Sequence, residues 1–115
     1  MGSKKFKIAV ATKGNGGLED QVSTVFGRAN TFTIVDVEEG AVKGVEVIEN
    51  PAITYKFGAG PIVVKTLVDL GVNAVVGAEL GPGASSLLEQ HNIARIIVKP
   101  GSNVRDAIKN VLSKI

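Results

Sequence analysis

The sequence predicts an α/β fold, a five-stranded mixed sheet in the order 3-2-1-4-5 with helices on both faces. Short apolar runs rich in valine and isoleucine recur along the chain, bounded by glycine, proline and asparagine, as buried strands are. In the second half these runs alternate with segments of helical period, the pattern of β-α-β crossovers. In the first half a Glu39-Gly40 turn signal joins two runs directly, so a hairpin precedes the crossovers.

The first strand is Phe6 to Thr12, with Phe6, Ile8 and Val10 on one face and Ala9 and Ala11 on the other. Both faces are largely apolar, which places the strand at the centre of a sheet covered on both sides. Its small residues let a helix sit close. The run Lys13-Gly14-Asn15-Gly16-Gly17 breaks the strand as a loop. The polar stretch Leu18 to Val25 holds at most a short helix. Thr31 to Val37 and Val42 to Ile48 are the second and third strands, with Gly44 and Glu46 marking the latter as a weaker edge. Asn50-Pro51 closes it, and residues 51–59 form a loop.

Pro61 begins a helix at the favoured first position, and Gly71 stops it. Asn73 to Ala78 is the fourth strand. Gly81-Pro82-Gly83 opens a second helix that runs through Leu87, Leu88 and Glu89 to His91-Asn92. Ile93 to Val98 is the fifth strand. Pro100-Gly101-Ser102 turns the chain into a last helix, with Asn103 as N-cap and Asp106 as a capping-box-like partner. Val104, Ala107, Ile108, Val111, Leu112 and Ile115 form its core-facing stripe. The order βββαβαβα with right-handed crossovers is the arrangement of ribonuclease-H-like folds. Residues 1–5 read as an N-terminal tail, its Met1-Gly2-Ser3 either native or left by cloning, and residues 6–115 as one domain.

Composition narrows the function. A net charge of +2 is too small, and the cations too dispersed beyond Lys4, Lys5 and Lys7, for a nucleic-acid-binding face. Four Phe, one Tyr and no Trp offer no platform for stacking bases. With no cysteine, disulfides, thiolate nucleophiles and cysteine-ligated clusters are excluded. No apolar run approaches the roughly 20 residues that cross a bilayer, and no signal sequence is evident. A cytoplasmic protein without membrane contact is expected.

Ligands of open α/β sheets favour the carboxyl ends of parallel strands. Three loops lie there: Lys13 to Gly17 with Gly14, Asn15 and Gly16; Glu79 to Gly83 with Gly81 and Pro82; and Lys99 to Asn103 with Gly101 and Ser102. Two lead straight into helix N-termini, whose free N–H groups and dipole suit an anion. The same glycines also serve as ordinary turn residues. No segment matches a dinucleotide fingerprint or a P-loop. The first strand lacks the carboxylate that a two-metal nuclease needs, and Asp36 with Glu79 does not replace it. His91, the only histidine, falls at a helix end where it ordinarily faces solvent. Arg28 in Val25-Phe26-Gly27-Arg28-Ala29 either ties down its loop or presents a fixed cation to an anionic ligand. No nucleophile–base pair is visible, so an enzyme is not expected.

Several segments, in order, resemble the dinitrogenase iron–molybdenum cofactor biosynthesis family. They are the strand Lys7-Ile8-Ala9-Val10-Ala11-Thr12, Phe26-Gly27-Arg28-Ala29 followed by Phe32 to Asp36, and Glu49-Asn50-Pro51. Gly58-Ala59-Gly60, Gly81-Pro82 and Val104-Arg105-Asp106-Ala107-Ile108 complete the match. The resemblance implies a non-enzymatic domain that binds, carries or helps insert an iron–sulfur or iron–molybdenum cluster, with a cluster-assembly or acceptor protein as partner. Phe26, Gly27, Arg28, Gly58, Gly60, Gly81 and Pro82 carry over as site residues. Where the family often has His before Phe-Gly-Arg, this chain has Val25. An anionic cluster would therefore be held without Cys ligands, by backbone N–H groups and by Lys13, Arg28 and Lys99. A protein-interaction module without ligand and a small-anion or nucleotide-binding domain are the alternatives.

Overall fold

Strand β1 (Lys5–Thr12) is the axis of the sheet. Ile8, Val10, Ala9 and Ala11 are all fully buried, so both of its faces are covered, as its two-sided apolar pattern requires. It begins one residue earlier than Phe6, because Lys5 pairs with Glu38. The structure is a computed structural model and describes residues 5–54 and 59–113. Met1 to Lys4, residues 55–58 of the expected loop with Gly58, and Ile115, all named above, lie outside the described residues.

On one side β1 pairs antiparallel with β2 (Thr31–Glu38), which pairs antiparallel with β3 (Ala41–Glu49). The hairpin between them turns through Glu39 at φ 55° and Gly40 at φ 80°, the primed-turn geometry that follows the twist of the strands. The register of this pair shifts at Asp36/Val37, leaving Lys43 as an extra residue in β3. Most of β3 is exposed, as expected of an edge.

On the other side β1 pairs parallel with β4 (Ala74–Gly77), and β4 with β5 (Ala94–Ile97). The sheet order is 3-2-1-4-5, the ribonuclease-H-like arrangement. Helix α1 (Ala59–Asp69) begins two residues before the expected start, so Pro61 is its third residue. The ring is tolerated there because first-turn N–H groups have no partner within the helix. Helix α2 (Pro82–Gln90) ends at His91, followed by Asn92 at φ 59°, a left-handed C-terminal residue of the kind asparagine accepts. Helix α3 (Val104–Leu112) is capped as its sequence predicts, the Asn103 side chain accepting from the Asp106 N–H.

Two cores result. Val63, Leu67 and Leu88 of α1 and α2 pack on Ala9, Ala11, Phe32, Ile34 and Val75. Val104, Ala107, Ile108 and Val111 of α3 pack on Ile8, Val10, Val35 and Val76. The alternation of strand side chains sends each set to its own face. Among the described residues, no helix is long and apolar enough to cross a membrane.

Candidate functional site

The carboxyl ends of β1, β4 and β5 share one edge of the sheet, and the connection from β1 to β2 (residues 13–30) crosses it from one face to the other. Its first half lies with α3, where Leu18 and Val22 join the α3 core. Its second half returns to the α1 and α2 side, where Phe26 and Ala29 are buried. The rim thus has two halves with different properties.

The α3 half is closed by the chain itself. Leu18 to Val25 is a single 3-10 turn (Gly17–Glu19) followed by extended chain that bridges Thr12 to Val22 and Gln21 to Asn103. The Val22 N–H donates to the Ser102 carbonyl at 2.8 Å, and the Gly101 N–H to the Val22 carbonyl at 2.9 Å. The Val104 N–H, in the first turn of α3, donates to the Asp20 carbonyl at 2.9 Å. The Gly14 and Gly16 N–H groups both donate to the Asp20 carboxylate. The exposed Lys13 is held by Gln21, Nζ to Oε1 at 3.1 Å, and Ser102 Oγ donates to the Lys99 carbonyl. Beneath the loop, the buried hydroxyls of Thr12, Thr31 and Thr33 bond one another. The Gly14, Gly16, Gly101 and Ser102 amides, expected to face a ligand, already have partners.

The α2 half is built differently. Phe26 is buried against Phe32, ring centres 5.4 Å apart and edge to face at 68°. This fixes Gly27 beside α1: a methyl group on Gly27 would stand 3.6 Å from the Gly60 nitrogen, and one on Gly60 would stand 3.8 Å from Ala84 Cβ. A side chain larger than methyl at either position would separate these segments. The N-terminal turns of α1 and α2 therefore meet at Gly60 and Ala84, with Gly27 against α1, and α2 carries no side-chain cap at Gly81. Pro82 brings no N–H to that end. Two positive helix ends lie beside Gly27, which exposed Arg28 follows in the chain.

The buried amide of Asn50 holds the corner in place. Its Nδ2 donates to the carbonyls of Gly27 at 3.0 Å and Ala29 at 2.8 Å, while its Oδ1 accepts from the Ala52 N–H at 2.8 Å. The residues on both sides of Arg28 are thereby fixed. Glu49-Asn50-Pro51 and Phe26-Gly27-Arg28-Ala29 are one structural unit, although they are far apart in sequence.

Of the expected site residues, the structure brings together Phe26, Gly27, Arg28, Gly60, Gly81, Pro82 and Gly83. Lys13, Gly14, Asn15, Gly16, Lys99, Gly101 and Ser102 belong to the closed half. Asn50 belongs to the Glu49-Asn50-Pro51 resemblance but not to the expected site residues, and Asp20 is legible only as a carboxylate shortly after paired glycines. Asp36 stands beside Lys7 at the other end of the sheet from Glu79, and His91 is at the far end of α2. An open groove of about 490 Å³ at that other end, lined by Lys5, Lys7, Asp36 and Lys43, mixes both signs of charge and is separate from the rim.

The two halves respond differently to a methyl group. At Gly16 it would stand 3.1 Å from Asp20 Cβ, whereas at Gly83 nothing lies within 4 Å. Gly16→Ala is expected to cost about 1–3 kcal/mol through overpacking. Gly83→Ala, at an exposed helical position, is expected to gain up to about 1 kcal/mol from helix propensity. Urea denaturation of both variants checks the contrast, and equal losses would contradict it.

Known proteins match nearly the whole chain. The sequence pattern of the family described as "Dinitrogenase iron-molybdenum cofactor" matches residues 4–114. An uncharacterized protein of Methanocaldococcus jannaschii is 36% identical over 90 residues, covering 78% of this chain and 72% of its own. The apo form of the orange protein from Desulfovibrio gigas superposes with a TM-score of 0.84 at 29% identity, covering 94% of this chain and 88% of that one. A Thermotoga protein described as a NifB candidate gives 0.73 at 30% identity, covering 95% and 88%.

Proposed function

This chain belongs to the dinitrogenase iron–molybdenum cofactor family, and from that premise we propose that it is a non-enzymatic carrier or accessory protein for an anionic metal-cluster cargo. The cargo, an iron–sulfur or iron–molybdenum cluster, is received at the corner formed by Phe26–Arg28, Gly60 and Gly81–Gly83. The observation that carries this reading is the approach of the α1 and α2 N-terminal turns at Gly60 and Ala84 beside Gly27, with α2 left without a side-chain cap.

The donor set decides how such a cargo is held. The sequence has no cysteine and one histidine, and among the described residues no three His, Asp or Glu side chains cluster as metal ligands. Side-chain ligation of a cluster does not fit this chain. Main-chain N–H groups, helix dipoles and Arg28 fit an anion held by charge and hydrogen bonds. Such binding weakens as salt rises. It also leaves the cargo's own ligand positions open for transfer to a cytoplasmic assembly or acceptor protein. A second reading, a docking module without cargo, is favoured by Val25 and Ile53, which are 42% and 40% exposed beside the two motifs.

Anaerobic incubation with isolated iron–molybdenum cofactor, followed by desalting and metal analysis at low and moderate salt, tests the proposal. The expected result is stoichiometric metal that falls with salt and is lost in Arg28→Ala. The melting point of the variant, measured alongside, separates a lost cargo contact from a loosened loop. Absence of retained metal at both salt levels in the unaltered protein would rule out the carrier and leave the docking module.

A further inference from the structure

We infer that the Lys13–Gln21 loop is an anion nest whose occupant is the chain's own Asp20, so that this carboxylate decides which half of the rim is open to an external anion. Three main-chain N–H groups converge on it. Gly14 and Gly16 donate to Oδ2 at 3.0 and 2.9 Å, and Gln21 donates to Oδ1 at 2.7 Å. A concavity of such N–H groups ordinarily receives a phosphate or another small anion. Hydrogen bonds to an ionised acceptor are the stronger kind. Here the acceptor is tethered, and its effective concentration is set by the loop rather than by the solution.

Two further features fit the nest to Asp20 rather than to a dissolved ligand. A methyl group on Gly14 would stand 3.3 Å from Asp20 Oδ2, and one on Gly16 would stand 3.1 Å from its Cβ and 3.2 Å from its Cα. The two glycines make room for the aspartate itself. The main chain of Asp20 is anchored as well, its N–H donating to the Gly17 carbonyl at 3.1 Å and its carbonyl accepting from the Val104 N–H. Withdrawing the carboxylate by moving the backbone would break the start of α3. Asp20 is therefore a specificity-determining residue: it fills the α3 half of the rim and confines anion capture to the Gly27 corner. That Asp20 fills the nest holds whether or not the corner takes a cluster, and that capture is confined to the corner rests on the carrier reading.

Removing the carboxylate vacates the nest for acetate or inorganic phosphate. Amide NMR spectra of the unaltered protein and of Asp20→Ala are recorded during acetate and then phosphate titration, with melting temperatures alongside. In Asp20→Ala the Gly14, Gly16 and Gln21 amides are expected to shift together and saturably, and the melting temperature to rise with acetate by mass action. In the unaltered protein the same three amides are expected to stay in place with either anion. Their movement on adding phosphate would overturn the inference, as would a folded Asp20→Ala variant without an acetate response at those amides. Hydrogen exchange in the unaltered protein adds a measurement that needs no variant. Gly14 and Gly16 are expected to exchange more slowly than the exposed Asn15, and exchange as fast as Asn15 would show the nest to be open.

Discussion

Replacing Asn50 with aspartate is expected to lower stability by about 3 kcal/mol or more. The substitution is isosteric, and it keeps an oxygen that can accept from the Ala52 N–H. It removes both donors, however, and turns a second carboxylate oxygen toward the carbonyls of Gly27 and Ala29. Asn50 is 2% exposed, so neither that oxygen nor the abandoned carbonyls gain water in exchange. The urea midpoint should fall with little change in slope, the mark of lost stability rather than a changed unfolded state. A midpoint within error of the unaltered protein would show that the side chain does not hold the Gly27 corner. Asn50→Ala, which removes the bonds without adding a charge, is expected to fall between the two.

Phe26→Ala is expected to cost about 3–5 kcal/mol, the range for deleting a buried aromatic ring. A domain of this size has a total of about 5–15 kcal/mol to lose. The ring is 1% exposed, packs edge to face on Phe32, and approaches to 3.6 Å where a methyl group on Gly77 would stand. Truncation opens a cavity directly under Gly27 and Arg28, so thermal stability and cargo retention should fail together. The melting temperature is expected to drop by about 10 °C or more. Phe26→Leu, which refills much of the volume, should recover most of the melting temperature. Loss of retention with an unchanged melting point would instead place the ring in contact with the cargo.

How far the sequence disclosed this molecule depended on the range of the interactions involved. Strand β1 was legible because Ile8, Val10, Ala9 and Ala11 make both faces apolar. Helix α3 was legible because its stripe and its Asn103 cap are local. The start of α1 was misplaced because Ala59 and Gly60 carry no helical signal of their own. Leu18 to Val25 could not be read, since its shape is fixed by main-chain bonds to residues 11 and 102 that no local pattern encodes. The candidate site follows the same rule. Glycines before helices indicated the rim, and the resemblance supplied the Phe26–Ala29 and Glu49–Pro51 motifs, but their union through Asn50 is a contact across the fold. The closure of the Lys13–Gln21 loop was invisible for the same reason: a glycine loop reads alike whether its anion is a solute or Asp20.

The extra residue in β3 has a consequence for how this protein meets others. A long, regular outer strand invites a second chain to continue the ladder, which is how soluble sheets grow into fibres. Lys43 interrupts that ladder by shifting its register, and Lys43, Glu46 and Glu49 are exposed along the same margin. The opposite margin, β5, is only four residues long. Neither border offers a long, regular template for another strand, in keeping with a sheet of five strands among the described residues.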